Sequence, residues 1–204
     1  MTWSSEGLFV KVCGLKTRGD IDVAMAAGAD ALGFVWWEPS PRHIALESIA
    51  ELAVSVPVRT VLVTVDLPPG ELVEAASRAE VTAVQPHGRH STEAADAAAA
   101  TGLDAIRPLR AGESPGPVPE RHLLLMDTPD PDLPGGTGRS FDWALAADFG
   151  RPYLLAGGLT PDNVGAAVRM LRPFGVDASS GLESSPGSKD PDLIRRFVEE
   201  AKGS

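Results

Sequence analysis

Residues 8–28 read LFVKVCGLKTRGDIDVAMAAG. The first six are apolar except for Lys11, as in a buried strand. Thr17, with Asp20 three residues on, makes a capping-box-like helix start, and Gly28 follows the apolar helix body as a C-terminal cap. The stretch is therefore one strand–turn–helix unit. An open doubly wound sheet would carry a G-x-G-x-x-G phosphate fingerprint in this first turn. The turn here, CGLKTRG, does not match it.

The same unit recurs along the chain. Strands are predicted at 8–13, 31–35, 60–65, 83–85, 105–109, 122–126, 153–156 and 175–178. Several are unalternated apolar runs such as LLLM, which suits parallel strands covered on both faces. Helices are predicted from Thr17 to Ala27, from Leu46 to Val54, from Gly70 to Arg78 and from Thr92 to Thr101. Two more open with proline at the first helical position: Thr160 caps Pro161, and Asp190 caps Pro191. In the last of these Ile194, Phe197, Val198 and Ala201 share the inward face. RAGESPGPVPER, with three prolines, reads as a loop, so a fifth helix is expected to be short or absent. Eight strands alternating with about seven helices predict a single (β/α)₈ barrel domain over residues 1–204, although such barrels usually run to about 250 residues. The doubly wound sheet is the runner-up.

Composition narrows the function. The chain has 204 residues and a net charge of −10, with scattered basic residues, which argues against a nucleic-acid partner. No apolar stretch approaches a membrane span, and MTWSSEGLF lacks the pattern of a signal peptide. One cysteine excludes an internal disulfide and fits a reducing cytoplasm.

In a barrel, chemistry sits at the C-terminal ends of the strands. Those ends carry Cys13, Arg42 in WWEPSPRHI, Gln85 and His87 in QPHG, Asp127, Gly157 and Gly158 in AGG, and Asp177 to Gly181 in DASSG. Gly157, Gly158, Ser179, Ser180 and Gly181 follow strands seven and eight, where this fold commonly holds phosphate. Ordinary glycine turns are the plainer reading of each loop alone. Asp127 is either an acid or a turn residue in MDTPDPD. On spacing alone, core packing is the simpler reading of Cys13. Lys11 changes that balance. It shares a strand face with Cys13, and if that face looks into the barrel the ammonium needs a partner. Asp177 lies on strand eight, which closes the barrel beside strand one, so a Lys11–Asp177 ion pair is expected beneath Cys13, with Lys11 favouring a thiolate. His87 and His90 form an H-x-x-H pair, but no third ligand follows at a recognisable spacing, so no metal site is expected. Of Trp36 and Trp37, alternation lets one face an aromatic ligand; core or rim packing is the simpler reading.

Taken together, KVCGLKTRGDIDVAMAAGADALGFV, SPRHI, VQPHG, GGTGRSFDW, LLAGGLTPDNV and GVDASSGLESSPGSKD resemble the phosphoribosylanthranilate isomerase family of tryptophan biosynthesis. The resemblance covers nearly the whole chain, in order. It implies a (β/α)₈ barrel that converts N-(5-phosphoribosyl)anthranilate to 1-(2-carboxyphenylamino)-1-deoxyribulose 5-phosphate, an Amadori rearrangement needing no metal or organic cofactor. It implies Cys13 as general base, Asp127 as general acid and Arg42 as holder of the anthranilate carboxylate. It places phosphate on Gly157, Gly158, Ser179, Ser180 and Gly181; Gln85, His87 and Asp177, at the converging strand ends, are expected to face substrate. It further implies a cytoplasmic monomer or homodimer with a small phosphorylated substrate as its partner. The chain departs from the family pattern at Pro86, where leucine is common, at Gly19, and at Asp66, where asparagine is common. The rivals are an enzyme that isomerises the analogous histidine-pathway aminoaldose, alone or in addition, whose barrels carry aspartate where this chain has Cys13, and a phosphosugar-binding barrel without catalysis.

Overall fold

The hydroxyl of Thr17 accepts a hydrogen bond from the backbone N–H of Asp20 at 3.1 Å, and Gly28 closes the helix in the left-handed conformation. Helix α1, Arg18–Ala27, thus starts and stops where its caps predict. The computed structural model describes residues 3, 7–54, 56–110, 118–119, 121–127 and 151–204. Residues 111–117 and 120, within the proline-rich stretch read as a loop, lie outside the described residues, as does the GGTGRSFDW motif.

Eight strands alternate with helices: β1 (Phe9–Cys13), β2 (Ala31–Val35), β3 (Arg59–Val65), β4 (Ala83–His87), β5 (Asp104–Arg110), β6 (His122–Asp127), β7 (Tyr153–Ala156) and β8 (Gly175–Ala178). Each pairs in parallel with the next, and β8 pairs with β1, closing the barrel. After α1 come α2 (Leu46–Ala53), α3 (Pro69–Arg78), α4 (Ser91–Ala100), α5 (Val164–Leu171) and α6 (Pro191–Lys202). Among the described residues, no helix is long and apolar enough to cross a membrane.

Two apolar sets divide the strands by side-chain parity. Val10, Val12, Leu32, Phe34, Leu62 and Val84 point outward and join Ile21, Ile49, Leu72 and Phe197 of the helices in one core. Phe9, Cys13, Ala31, Val61, Leu123 and Leu154 form the second set, inside the barrel. Strand period 2 set against helix period 3.6 produces this division.

Three local details differ from expectation or extend it. Asn163, not Thr160, is the N-cap of α5. The Asn163 side chain accepts from Thr160 N–H at 2.8 Å and donates to the Gly158 carbonyl at 2.9 Å, holding 160–163 as a turn ahead of the helix. Strand β4 continues through Pro86 to His87. The missing N–H is tolerated because β4 pairs with β5 only at Ala83 and Val84. Beyond β8, a short 3₁₀ turn (Ser180–Leu182) leads into an antiparallel hairpin that the sequence reading did not anticipate, β9 (Glu183–Ser185) and β10 (Ser188–Lys189).

Candidate active site

The inner face of β1 carries Phe9, Lys11 and Cys13 in ascending order toward the strand's C-terminal end. Lys11 sits opposite Asp177 of β8 in the parallel register, and its ammonium donates to Asp177 Oδ2 at 2.8 Å. Lys11 has no exposed surface, so the expected ion pair is what keeps a charged lysine inside the barrel. Asp177 Oδ1 is buried without a hydrogen-bond partner among the described residues.

Cys13 lies one layer higher, buried at the end of β1. Its neighbour across the β1–β2 ladder is Gly33. A Cβ at position 33 would lie 2.8 Å from Sγ, so only glycine leaves room for the thiol. The Lys11 charge favours the Cys13 thiolate, but burial works against it more strongly. Burial pushes the Cys13 thiol above its ordinary value, and the nearby Lys11 and Lys189 only partly offset that rise. At rest the group is a thiol.

Asp127 ends β6, half-buried and on the inner parity with Leu123 and Leu125. Burial raises its carboxyl above the usual carboxylate range, the Asp177 charge adds to the rise, and Lys11 opposes it. Such a carboxyl holds its proton to higher pH than an exposed aspartate.

Gln85 and His87 share the inner face of β4. The Gln85 Nε2 and His87 Nε2 atoms are 2.9 Å apart. An amide nitrogen only donates, so His87 accepts at Nε2 and carries its proton on Nδ1. Burial, with the Lys11 charge adding to it, lowers the His87 pKa to about 4, so the ring is neutral near pH 7. His90 precedes α4, so the two histidines stand on different elements rather than on one helix.

Arg42 enters from the loop after β2, which Ile44 ties back through a bond of its N–H to the Val35 carbonyl. Its stem crosses over Gly14: a Cβ there would lie 2.7 Å from Arg42 Cδ and 2.9 Å from Ser179 Oγ. Arg42 and Ser179 therefore converge beside Cys13. The guanidinium forms a two-pronged pair with Glu183, Nε to Oε1 at 2.7 Å and Nη2 to Oε2 at 2.8 Å. Lys189 Nζ reaches the same Oε1 at 2.8 Å and the Ser179 carbonyl at 2.9 Å. Glu183 and Lys189 were missed in the sequence. A Pro-Gly turn between opposite charges was the available signal, since it folds them face to face across the hairpin. Trp36 packs against the outer core and Trp37 is exposed, so neither joins the barrel interior.

The two glycine-bearing loops also meet. A Cβ at Gly181 would overlap the Leu159 carbonyl oxygen, so the β7 and β8 loops lie against each other. Gly157 and Gly158 both take positive φ, and Asn163 braces Gly158 from below. The chain after Ser179 makes only one 3₁₀ turn there.

The family model of N-(5'-phosphoribosyl)anthranilate isomerase matches residues 10–200. An N-(5'-phosphoribosyl)anthranilate isomerase of Rubrobacter xylanophilus is 42% identical over 202 residues, covering 95% of this chain and 98% of the relative. The crystal structure of phosphoribosyl anthranilate isomerase from Thermotoga maritima superposes with a TM-score of 0.85 at 34% identity, covering 97% of this chain and 100% of that one. A phosphoribosyl anthranilate isomerase in complex with reduced 1-(o-carboxyphenylamino)-1-deoxyribulose 5-phosphate superposes with a TM-score of 0.80 at 33% identity, with 97% and 100% covered. The chain belongs to the N-(5'-phosphoribosyl)anthranilate isomerase family.

Proposed function

We propose that this chain carries out the Amadori rearrangement of N-(5'-phosphoribosyl)anthranilate in tryptophan biosynthesis, with Asp127 as general acid and Cys13 as general base. The observation that carries the reading is the pairing of a raised carboxyl on β6 with a thiol on β1, both on the inner parity at the mouth of one barrel. Protonated Asp127 gives its proton to the furanose ring oxygen. The C1–O bond breaks, and the nitrogen lone pair forms the C1=N bond of a protonated imine. That cation acidifies the C2 proton, which the Cys13 thiolate removes. The electron pair left at C2 closes an enolamine, which tautomerises to the ketone. The substrate's own imine is the electron sink.

The remaining residues bind. Arg42 takes the anthranilate carboxylate, and the abutting loops at Gly157, Gly158, Ser179, Ser180 and Gly181 take the phosphate. Gln85, His87 and Asp177 face the sugar. Gln85 Oε1 and Asp177 Oδ1, buried and without a hydrogen-bond partner among the described residues, supply acceptors for its hydroxyls. We assign the reaction to the cytoplasm, where a lone thiol stays reduced.

The test is turnover. Purified protein should consume N-(5'-phosphoribosyl)anthranilate, followed as loss of anthranilate-type fluorescence. Asp127→Asn and Cys13→Ser should each lower kcat by about 10²-fold or more. Full activity in either variant would remove that residue from the mechanism.

A further inference from the structure

Among the described residues, Glu183 is the most heavily bonded carboxylate at the mouth of the barrel. Oε1 accepts from Arg42 Nε and Lys189 Nζ, and Oε2 accepts from Arg42 Nη2 and from the Gly187 backbone N–H at 3.1 Å. Its side chain is almost wholly buried. Gly187 makes the last bond possible: it turns the hairpin with φ near 78°, and a Cβ there would overlap the Pro41 carbonyl oxygen of the Arg42 loop. Hairpin and loop are thus locked backbone to backbone, with Glu183 between them.

This arrangement directs Arg42 rather than consuming it. The pair with Glu183 takes the Nε side of the guanidinium. A planar fork held along one edge presents the other edge, Nη1 with the second Nη2 hydrogen, in a fixed plane. The three groups Arg42, Glu183 and Lys189 sum to one positive charge, so the cluster still attracts an anion. Lys189 also grips the Ser179 carbonyl, which ties the same carboxylate to the end of β8.

We propose that Glu183 is a positioning residue that orients the Arg42 guanidinium toward the ring carboxylate of the substrate, and so sets the discrimination between substrates with and without that group. The inference rests on the carboxylate role given to Arg42 above. An arginine on a loop would otherwise sample many rotamers, and fixing it removes that cost from binding.

The experiment compares two inhibitors, an arylamino-1-deoxyribitol 5-phosphate with its ring carboxylate and the same compound without it. Against the wild type, Glu183→Gln should raise Ki for the carboxylate form about tenfold, a loss of one charge-assisted fork. Ki for the carboxylate-free form should not move. In an Arg42→Ala background the Glu183→Gln change should add nothing further. Glu183→Asp keeps the charge but shortens the arm, and should give a smaller rise of the same selectivity; it carries the test if the glutamine variant does not fold. Equal rises for both inhibitors, no rise, or additivity with Arg42→Ala would overturn the proposal and leave Glu183 a scaffold residue. If Arg42→Ala raises Ki for the carboxylate form while Glu183→Gln does not, only the present inference fails. If Arg42→Ala itself has no effect, the carboxylate role of Arg42 fails with it.

Discussion

The two ends of the barrel are filled by opposite means. At the N-terminal end Phe9 stacks on Phe174 with ring centres 5.6 Å apart, and Trp3 meets Phe9 edge-on at 5.8 Å. The Arg59 guanidinium lies 4.6 Å above the Trp3 ring and reaches Asp104 at the rim. Gly175 gives Phe9 its space, since a Cβ there would lie 2.7 Å from Phe9 Cβ. At the C-terminal end the same interior holds a buried ion pair, a thiol, a raised carboxyl and a neutral histidine. Strand β1 passes through both regimes in five residues: an aromatic plug at Phe9, a paired charge at Lys11, a thiol at Cys13. The lower end gains stability by excluding water from carbon. The upper end gives up part of that to hold polar groups whose proton affinities are displaced.

Lys11, midway between the two, should show the largest effect because it serves both ends. Lys11→Met leaves Asp177 buried without its cation and should destabilise the fold by about 3–5 kcal/mol while also lowering activity. Adding Asp177→Leu should recover most of the stability, read by denaturant unfolding, and none of the activity. Recovery of turnover in the double variant would break the division between the ends. Phe9→Ala should cost about 3–5 kcal/mol of stability through lost packing, yet leave kcat/KM of the folded protein within a few-fold of the wild type. A large fall in kcat/KM would mean that the plug transmits strain to the mouth.

The smaller effects concern pH. Under the proposed roles, the active form carries a thiolate at Cys13 and a proton on Asp127, although both groups bind protons more tightly than usual. That state holds as many protons as the resting thiol–carboxylate form. The profile of kcat/KM is therefore expected to be level between the two apparent values and to fall on both sides. The acid limb should lie above the ordinary carboxylate range and the alkaline limb above the ordinary thiol range. An alkaline limb that vanishes in Asp127→Asn but persists in Cys13→Ser would reverse the assignment.

Acid should also unfold the mouth in stages. His87, lowered from 6.5 to about 4 chiefly by burial, binds a proton in the unfolded chain first. Stability is then lost as pH falls from about 6.5 to about 4. Burial alone would raise the Glu183 carboxyl, but hydrogen bonds from Arg42 and Lys189 hold it down at about 2. Its contribution is present above 4.5 and is lost as pH falls from about 4.5 to about 2. His87→Gln should reduce the upper stage, to which buried His122, also lowered by desolvation, contributes, and should leave the lower one.

Much of this is legible in the chain because it is local. The caps at Thr17, Gly28 and Asp190 act within four residues, and a strand's apolar run predicts which segments the barrel buries. The Lys11–Asp177 pair spans 166 positions, yet it follows once the last strand is known to close against the first. The Arg42–Glu183 pair spans 141 positions and follows from no such rule. It depends on a short hairpin folding back over a loop from the other side of the closure.

The order of the strands, the placement of Cys13 and Asp127 at strand ends and the need of Lys11 for a partner were set by the sequence alone, since each rests on short-range periodicity and strand parity. The state of the thiol was decided only by the tertiary structure. A nearby lysine favours the anion, but Gly33, the β2 strand and the surrounding core remove the water that would solvate it, and desolvation wins. Burial is a sum over neighbours from many parts of the chain.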